Sequence, residues 1–135
     1  MKKNLLKKDI VKIFKLHKLS DQHSKICADA LINAELVGAP SHGLSRLKMY
    51  CERIRKKVIN PKPKIKIKKI SPSISHVDAN NSIGFVAADT AIKTAINNAK
   101  KTGLGFVGVK NSGHYGLSGY YAEQAVKKGL MVMVF

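Results

Sequence analysis

The chain has 135 residues, 44% of them hydrophobic, which is enough for one ordinary domain that buries roughly two thirds of its surface. No apolar run approaches the length of a membrane span. The net charge is +17, but only three of the 25 cationic residues are arginines. Nucleic-acid readers usually cluster arginine, and single-strand binders also expose aromatic residues. The charge therefore predicts weak, salt-sensitive binding to polyanions and no specific nucleic-acid partner.

The two cysteines and the N-terminus point to a cytoplasmic protein. Cys27 and Cys51 fall on apolar faces of predicted helices and form no CxxC pair, so we expect buried, reduced core residues. The basic N-terminus begins like a signal peptide, but lysines interrupt it before an apolar region develops. The histidines and acidic residues show no metal-ligand spacing, and we predict no metal site.

Three helices are predicted in the first 57 residues. Residues 5–18 form an amphipathic helix, and Ser20 caps a second helix that ends near Gly38. Pro40 blocks continuation, and Ser41 is expected to cap a third helix over residues 42 to about 57. Together these helices would form a layer.

Three polar residues recur at intervals of four in the third predicted helix. His42, Arg46 and Tyr50 would then share one face. In the first helical turn His42 would be held neutral, and Arg46 one turn later could grip a carboxylate with two hydrogen bonds. This pattern favours a site that moves a proton on an acid substrate. The alternative is a solvated surface helix.

The composition changes after Arg55, where a basic segment with two prolines predicts a boundary. We therefore divide the chain into an N-terminal helical region, 1–57, and the start of an α/β sheet domain, 58–135. Isoleucine and lysine alternate over residues 64–68, which predicts an edge strand, and 74–78 would complete a β-hairpin. A turn is expected to begin at Asp78.

Two αβ units follow the hairpin. Helices are predicted over 84–101 and 117–128, each ending at a glycine and each followed by an apolar strand, 104–109 and 130–135. The fold class is thus α/β, with a parallel sheet expected to be covered on both faces. Residues 103–108 match G-x-G-x-x-G, but the motif closes a helix and enters a strand, the reverse of a dinucleotide site.

The loop over residues 111–120 follows a predicted strand and precedes a helix. Open α/β sheets bind ligands at this edge, and Gly113, Gly116 and Gly119 would permit close approach. His114 in this loop is a candidate general acid or base. No acidic residue in a supporting motif completes a hydrolytic triad with the serine and histidine pairs.

These motifs together resemble those of the malate/L-lactate dehydrogenase family, a non-Rossmann group that includes ureidoglycolate dehydrogenase, 2,3-diketo-L-gulonate reductase and piperideine-2-carboxylate reductase. The resemblance rests on residues spread through most of the chain: Pro40-Ser41-His42-Gly43-Leu44-Ser45-Arg46, Met49-Tyr50, Arg53-Ile54, Asp78 and Asn111-Ser112-x-His114-x-Gly116-x-x-Gly119-Tyr120-Tyr121.

The resemblance implies an oxidoreductase that moves a hydride between NAD or NADP and a 2-hydroxy or 2-keto acid, usually as a homodimer. Carried over residue by residue, His114 and His42 would be the catalytic proton-transfer groups, with Arg46 on the substrate carboxylate and Ser41 and Tyr50 lining the pocket. We favour His114 as the group that exchanges the proton and His42 as polariser or alternate donor. Most cofactor-binding residues would lie beyond residue 135.

Members of this family are more than twice as long as this chain. We therefore expect an N-terminal fragment of the non-Rossmann dehydrogenase fold that is inactive alone. Two alternatives remain at this point, a basic nucleic-acid-binding module and a truncated gene product without function.

Overall fold

The structure is a computed structural model that describes residues 2–135, with side chains described from Asn4 onward. The charges of Lys2 and Lys3, part of the basic N-terminus, lie outside the described side chains. The main elements are five α-helices and three strands: α1 (Lys2–Leu16), α2 (Asp21–Leu36), α3 (Leu47–Arg55), β1 (Lys66–Lys69), β2 (Ile74–Ser82), α4 (Gly84–Thr102), β3 (Phe106–Ser112) and α5 (Ser118–Val126).

The helices pack in layers on one face of the sheet. Helix α1 lies against α2, α2 against α4, and α4 against β2 and β3. The main core includes Phe14, Leu31, Tyr50 and Phe85, each no more than 1% exposed. This core draws residues from both sides of residue 57, and the two-domain division remains a prediction.

Several helix ends lie where the local chemistry predicts them. The Ser20 hydroxyl accepts a hydrogen bond from the His23 backbone amide at 3.1 Å, which caps α2. Gly103 ends α4 in the left-handed conformation, with φ of 80°. The two cysteines are buried and free, as predicted. None of the helices described here combines the length and apolar character needed to cross a membrane.

The predicted helix over residues 42–57 is wrong over its first five residues. Two short 3₁₀ turns, Pro40–His42 and Leu44–Arg46, precede α3. Gly43 lies between them with φ of −97° and ψ of −137°, which is not helical. Ser41 is therefore not an N-cap, and the first turn begins after Ala39 without a side-chain cap. The imidazole of His42 does not lie in the first turn of an α-helix.

The β-hairpin is confirmed, since β1 pairs antiparallel with β2 and forms an edge of the sheet. The turn expected at Asp78 does not occur, because β2 continues to Ser82. Asn80 and Asn81 adopt positive φ, and the pairing with β3 skips from Asp78 to Ser82. The Asp78 carboxylate accepts hydrogen bonds from the Asn80 amide at 3.0 Å and the Asn111 side chain at 2.9 Å, which stabilises this bulge.

The β3 strand lies next to β2 in parallel, but it is less covered than predicted. It begins at Phe106, and that side chain is 60% exposed on the face away from α4. The expectation of a sheet buried on both faces is therefore wrong for the described part of the chain. Residues 130–135 form no strand here, because no neighbouring strand pairs with their backbone. Leu130 and Val132 instead pack beside Tyr121.

Candidate active site

The segment between α2 and α3 is held in place by a side chain of α2. The Glu35 carboxylate accepts a hydrogen bond from the Leu44 backbone amide at 2.6 Å. A Cβ at Gly43 would collide with the same carboxylate. A glycine here thus allows Glu35 to reach the amide, and this contact ends the first 3₁₀ turn and starts the second.

Short polar contacts then arrange the residues that the sequence predicts for the site. The Arg46 Nε donates to the Ser41 carbonyl at 2.7 Å, and the Ser45 hydroxyl donates to the Pro40 carbonyl at 2.7 Å. The Ser41 hydroxyl lies 3.1 Å from Nδ1 of His42. Because this hydrogen bond uses only Nε of Arg46, its two Nη nitrogens can still donate to a further acceptor such as a carboxylate.

The loop that carries His114 is seated on the start of α4. A Cβ at Gly84 would collide with the backbone carbonyls of Gly113 and His114, so the loop lies directly on this glycine. Gly116 has φ of +83°, and a Cβ there would press into the ring of Phe85. Both glycines are therefore needed for the close contact between the loop and the helix.

The two segments meet at Tyr50 and His114, which are 64 residues apart in the chain. The Tyr50 hydroxyl lies 2.7 Å from Nδ1 of His114. The His42 and His114 rings are stacked, with centroids 5.8 Å apart and planes 25° apart. The fold thus brings His42, Tyr50 and His114 together, with Ser41 against His42 and Arg46 on the same segment. The polar face inferred from the four-residue spacing is assembled despite the broken helix.

The members of this cluster differ in depth. Tyr50 is 1% exposed and its ring packs against Phe85 at 4.8 Å between centroids. His114, Ser41 and Arg46 are exposed and His42 is half-buried. Tyr50 therefore lies beneath the histidines, while the other predicted residues line the surface. A groove of about 720 Å³ lies elsewhere and is lined by residues such as His17, Ile54 and Pro61.

The electrostatic environment of the cluster is cationic. Partial burial lowers the pKa of His114, and the neighbouring His42, Arg46 and Arg53 lower it further. Burial raises the pKa of Tyr50 to about 12, although Arg46 and Arg53 oppose this shift. At neutral pH the cluster therefore holds a neutral imidazole on His114 and a protonated phenol on Tyr50, beside guanidinium groups that favour an anion.

Sequence reasoning did not identify Glu35, Gly84 or Phe85 as supporting residues of this site. The only sequence signal in the helix of Glu35 is its apolar stripe, and Gly84 is expected only as the start of a helix. Their importance comes from contacts with residues distant in the chain, for which local patterns carry no signal.

The glycine-rich segment 103–108 does not fit a dinucleotide. Gly103 caps α4, and a Cβ at Gly105 would collide with the Ala95 carbonyl of the same helix. These glycines serve the packing of β3 on α4, so they form no cradle for a diphosphate.

Comparisons with known proteins agree with the family resemblance of the sequence motifs. The sequence model of the malate/L-lactate dehydrogenase family matches residues 1–135. Similar proteins include a malate dehydrogenase of Pyrococcus abyssi, 45% identical over 82% of this chain and 31% of its own length. An NAD(+) ureidoglycolate dehydrogenase of Escherichia coli O157:H7 is 34% identical over 84% of this chain and 32% of its own length.

The fold is also similar to a solved structure. The malate dehydrogenase of Pyrococcus horikoshii OT3 superimposes with a TM-score of 0.91 and 38% identity, covering 94% of this chain and 36% of that protein. The chain thus spans about a third of the length of the relatives it matches. These similarities give no support to the alternative of a nucleic-acid-binding module.

Proposed function

Because the chain belongs to the malate/L-lactate dehydrogenase family, we propose that it provides the acid-binding and proton-transfer side of a nicotinamide-dependent 2-hydroxy acid dehydrogenase. The observation that carries this proposal is the contact between Tyr50 and His114 beside the His42 ring. It unites two distant motifs into one cluster, and the nearby guanidinium groups suit a small organic acid.

The proposed roles follow from the chemistry of each group. Arg46 would bind the substrate carboxylate through its Nη nitrogens, because Nε is already bound to Ser41. His42 and His114 would face the 2-oxygen of the acid, with Ser41 orienting His42 and Tyr50 below His114. When the keto acid is reduced, its carbon gains a hydride and its oxygen gains a proton. NADH or NADPH would supply the hydride when bound, and the imidazoles of this chain would supply the proton.

The binding half of the proposal can be tested on the 135-residue chain itself. Pyruvate and propionate have the same carboxylate, but only pyruvate carries the 2-oxygen. Calorimetric titration at about 0.15 M salt should show tighter binding of pyruvate than of propionate, since simple attraction to a chain of net charge +17 treats both alike. Equal affinity for the two acids would contradict the proposal.

A matched pair of variants distinguishes specific binding by Arg46 from general attraction to a positively charged chain. Arg46→Gln should weaken pyruvate binding at least tenfold, because a charge-assisted bidentate contact is lost. Arg55→Gln removes the same charge from an exposed position on α3 and should leave the affinity within about twofold. If both variants lose the same affinity, Arg46 has no specific role.

Oxidation of the reduced nicotinamide requires more than the binding of the acid. We expect the 135-residue chain to bind NADH or NADPH weakly and not to oxidise it with 2-keto acids, because the acid side alone does not position a hydride donor. Nicotinamide fluorescence and absorbance with the purified chain test this. Substrate-dependent oxidation by the chain alone would show that these residues do more than we propose.

Assembly and location also remain proposals. A homodimer, implied by the resemblance, would appear as a doubled mass in light scattering. Buried free thiols at Cys27 and Cys51 support a reducing compartment such as the cytoplasm. The relatives named above act on malate and ureidoglycolate. For this chain we propose the class of 2-hydroxy or 2-keto acids.

A further inference from the structure

The two imidazoles of the cluster have different partners at Nδ1. His114 Nδ1 accepts a hydrogen bond from the Gly116 backbone amide at 3.3 Å and faces the Tyr50 hydroxyl at 2.7 Å. His42 Nδ1 faces the Ser41 hydroxyl at 3.1 Å. A backbone amide can only donate, whereas a hydroxyl can either donate or accept. The two rings therefore differ in how easily they can change protonation state.

The Gly116 amide and the Tyr50 hydroxyl together define the neutral form of His114. Since the amide points a hydrogen at Nδ1, that nitrogen must keep its lone pair, and the ring proton must be on Nε2. Tyr50 stays protonated and can donate to the same nitrogen. Protonation of Nδ1 would turn the amide contact into a repulsion between two N–H groups.

His42 has no such restriction. The Ser41 hydroxyl can donate to a bare Nδ1 and, after rotation, accept from a protonated one. His42 can thus gain or lose a proton while its hydrogen bond is kept. The two rings are stacked with centroids 5.8 Å apart, so one small substrate can lie beside both of them.

We propose that Tyr50 is a positioning residue that holds His114 with its proton on Nε2, so that His114 donates a hydrogen bond to the substrate 2-oxygen while His42 exchanges the proton. This assignment rests on the proposed function and reverses the roles favoured by the sequence. In reduction, with a hydride supplied to the 2-carbon by bound NADH or NADPH, the carbonyl π pair would move to oxygen, and protonated His42 would deliver the O–H proton and become neutral. Oxidation runs the same steps backwards.

The tautomer can be measured without substrate. In the ¹⁵N-histidine-labelled chain, long-range ¹H–¹⁵N spectra distinguish a protonated from an unprotonated ring nitrogen. At pH 7.5 we expect His114 to show an unprotonated Nδ1 and a protonated Nε2. Tyr50→Phe removes only the hydroxyl and should lower the ratio of the Nε2–H to the Nδ1–H form about fivefold, the effect of one ordinary hydrogen bond.

The control is Tyr120→Phe, which removes the hydroxyl of a half-buried tyrosine in the neighbouring core and should leave the His114 ratio unchanged. A protonated Nδ1 on His114 in the parent chain would overturn the proposal. So would an unchanged ratio in Tyr50→Phe when its amide spectrum remains that of a folded chain.

The same spectra, recorded with saturating pyruvate at pH 6.5, show which of the two imidazoles is protonated on both nitrogens. We expect the ring that carries protons on both nitrogens to be His42, with His114 neutral. Double protonation of His114 instead would overturn the division. Failure of pyruvate to bind would contradict the proposed function, whereas the tautomer result without ligand would still decide the positioning role of Tyr50.

Discussion

The site cluster and the outer face of the sheet are built differently. In the site cluster, the Tyr50 ring packs against Phe85 and its hydroxyl lies against His114. Glu35 fixes the preceding segment through the Leu44 amide. On the outer face, Phe106 is 60% exposed and Ile74 39% exposed. We therefore expect the geometry of the site to depend on the packing of the helices against α4, and only weakly on the outer face.

The largest difference should come from the two phenylalanines. Phe85→Ala removes a fully buried ring beneath Tyr50 and should lower the free energy of unfolding by about 3–5 kcal/mol. Phe106→Ala removes an exposed ring and should cost less than about 1 kcal/mol. Urea unfolding followed by circular dichroism measures both. Similar losses in the two variants would show that the outer face stabilises the chain as much as the core beneath Tyr50 does.

A second pair of variants tests whether the His114 loop rests on the start of α4. Gly84→Ala places a methyl group against the backbone of Gly113 and His114 and should destabilise the chain by about 1–3 kcal/mol while shifting the His114 resonances. Gly113→Ala points into open space and should leave both nearly unchanged. A stable Gly84→Ala variant with unmoved His114 signals would show that the loop does not rest on α4.

The Glu35 contact should have a smaller effect. Glu35→Gln replaces a charged acceptor of the Leu44 amide with a neutral one and should cost about 1–2 kcal/mol. Glu123→Gln breaks an exposed pair with Lys127 on α5 and should cost about 0.5 kcal/mol or less. Equal costs in thermal or urea unfolding would mean that Glu35 does not fix the segment.

The smallest expected effect is the pH dependence of the free energy of unfolding. Burial, with nearby cations, lowers the pKa of His114, and burial lowers that of His23, both from an ordinary value of 6.5. As the pH falls below about 7, these histidines therefore bind protons more readily in the unfolded chain than in the folded one. The free energy of unfolding decreases as a result. His114→Gln should reduce the loss of unfolding free energy between pH 7.5 and 5.5. Stability that rises on acidification would contradict the pKa directions.

Neighbouring residues in the sequence predict where single helices begin and end. They do not predict the segments whose conformation depends on contacts with distant residues. The cap at Ser20 and the end of α4 at Gly103 depend on neighbouring residues, so the sequence predicts them. The break at Gly43 depends on Glu35 reaching the Leu44 amide, a tertiary contact. The apolar residues 130–135 have strand character, but a strand also requires a neighbour to pair with.

The candidate site shows the same limit. The spacing of His42, Arg46 and Tyr50 and the glycines around His114 identified both segments, because polar groups at turns carry a local signal. The depth of Tyr50 and its contact with His114 could not be derived, since they depend on how α3 packs against α4 and its loop.

The most direct test is a pyruvate titration that follows the imidazole resonances of His42 and His114 in one sample, with propionate as the reference acid. If the two motifs form one acid-binding site, both rings respond to pyruvate with a single dissociation constant and respond less to propionate. A response confined to one ring, or an equal response to both acids, would contradict the account.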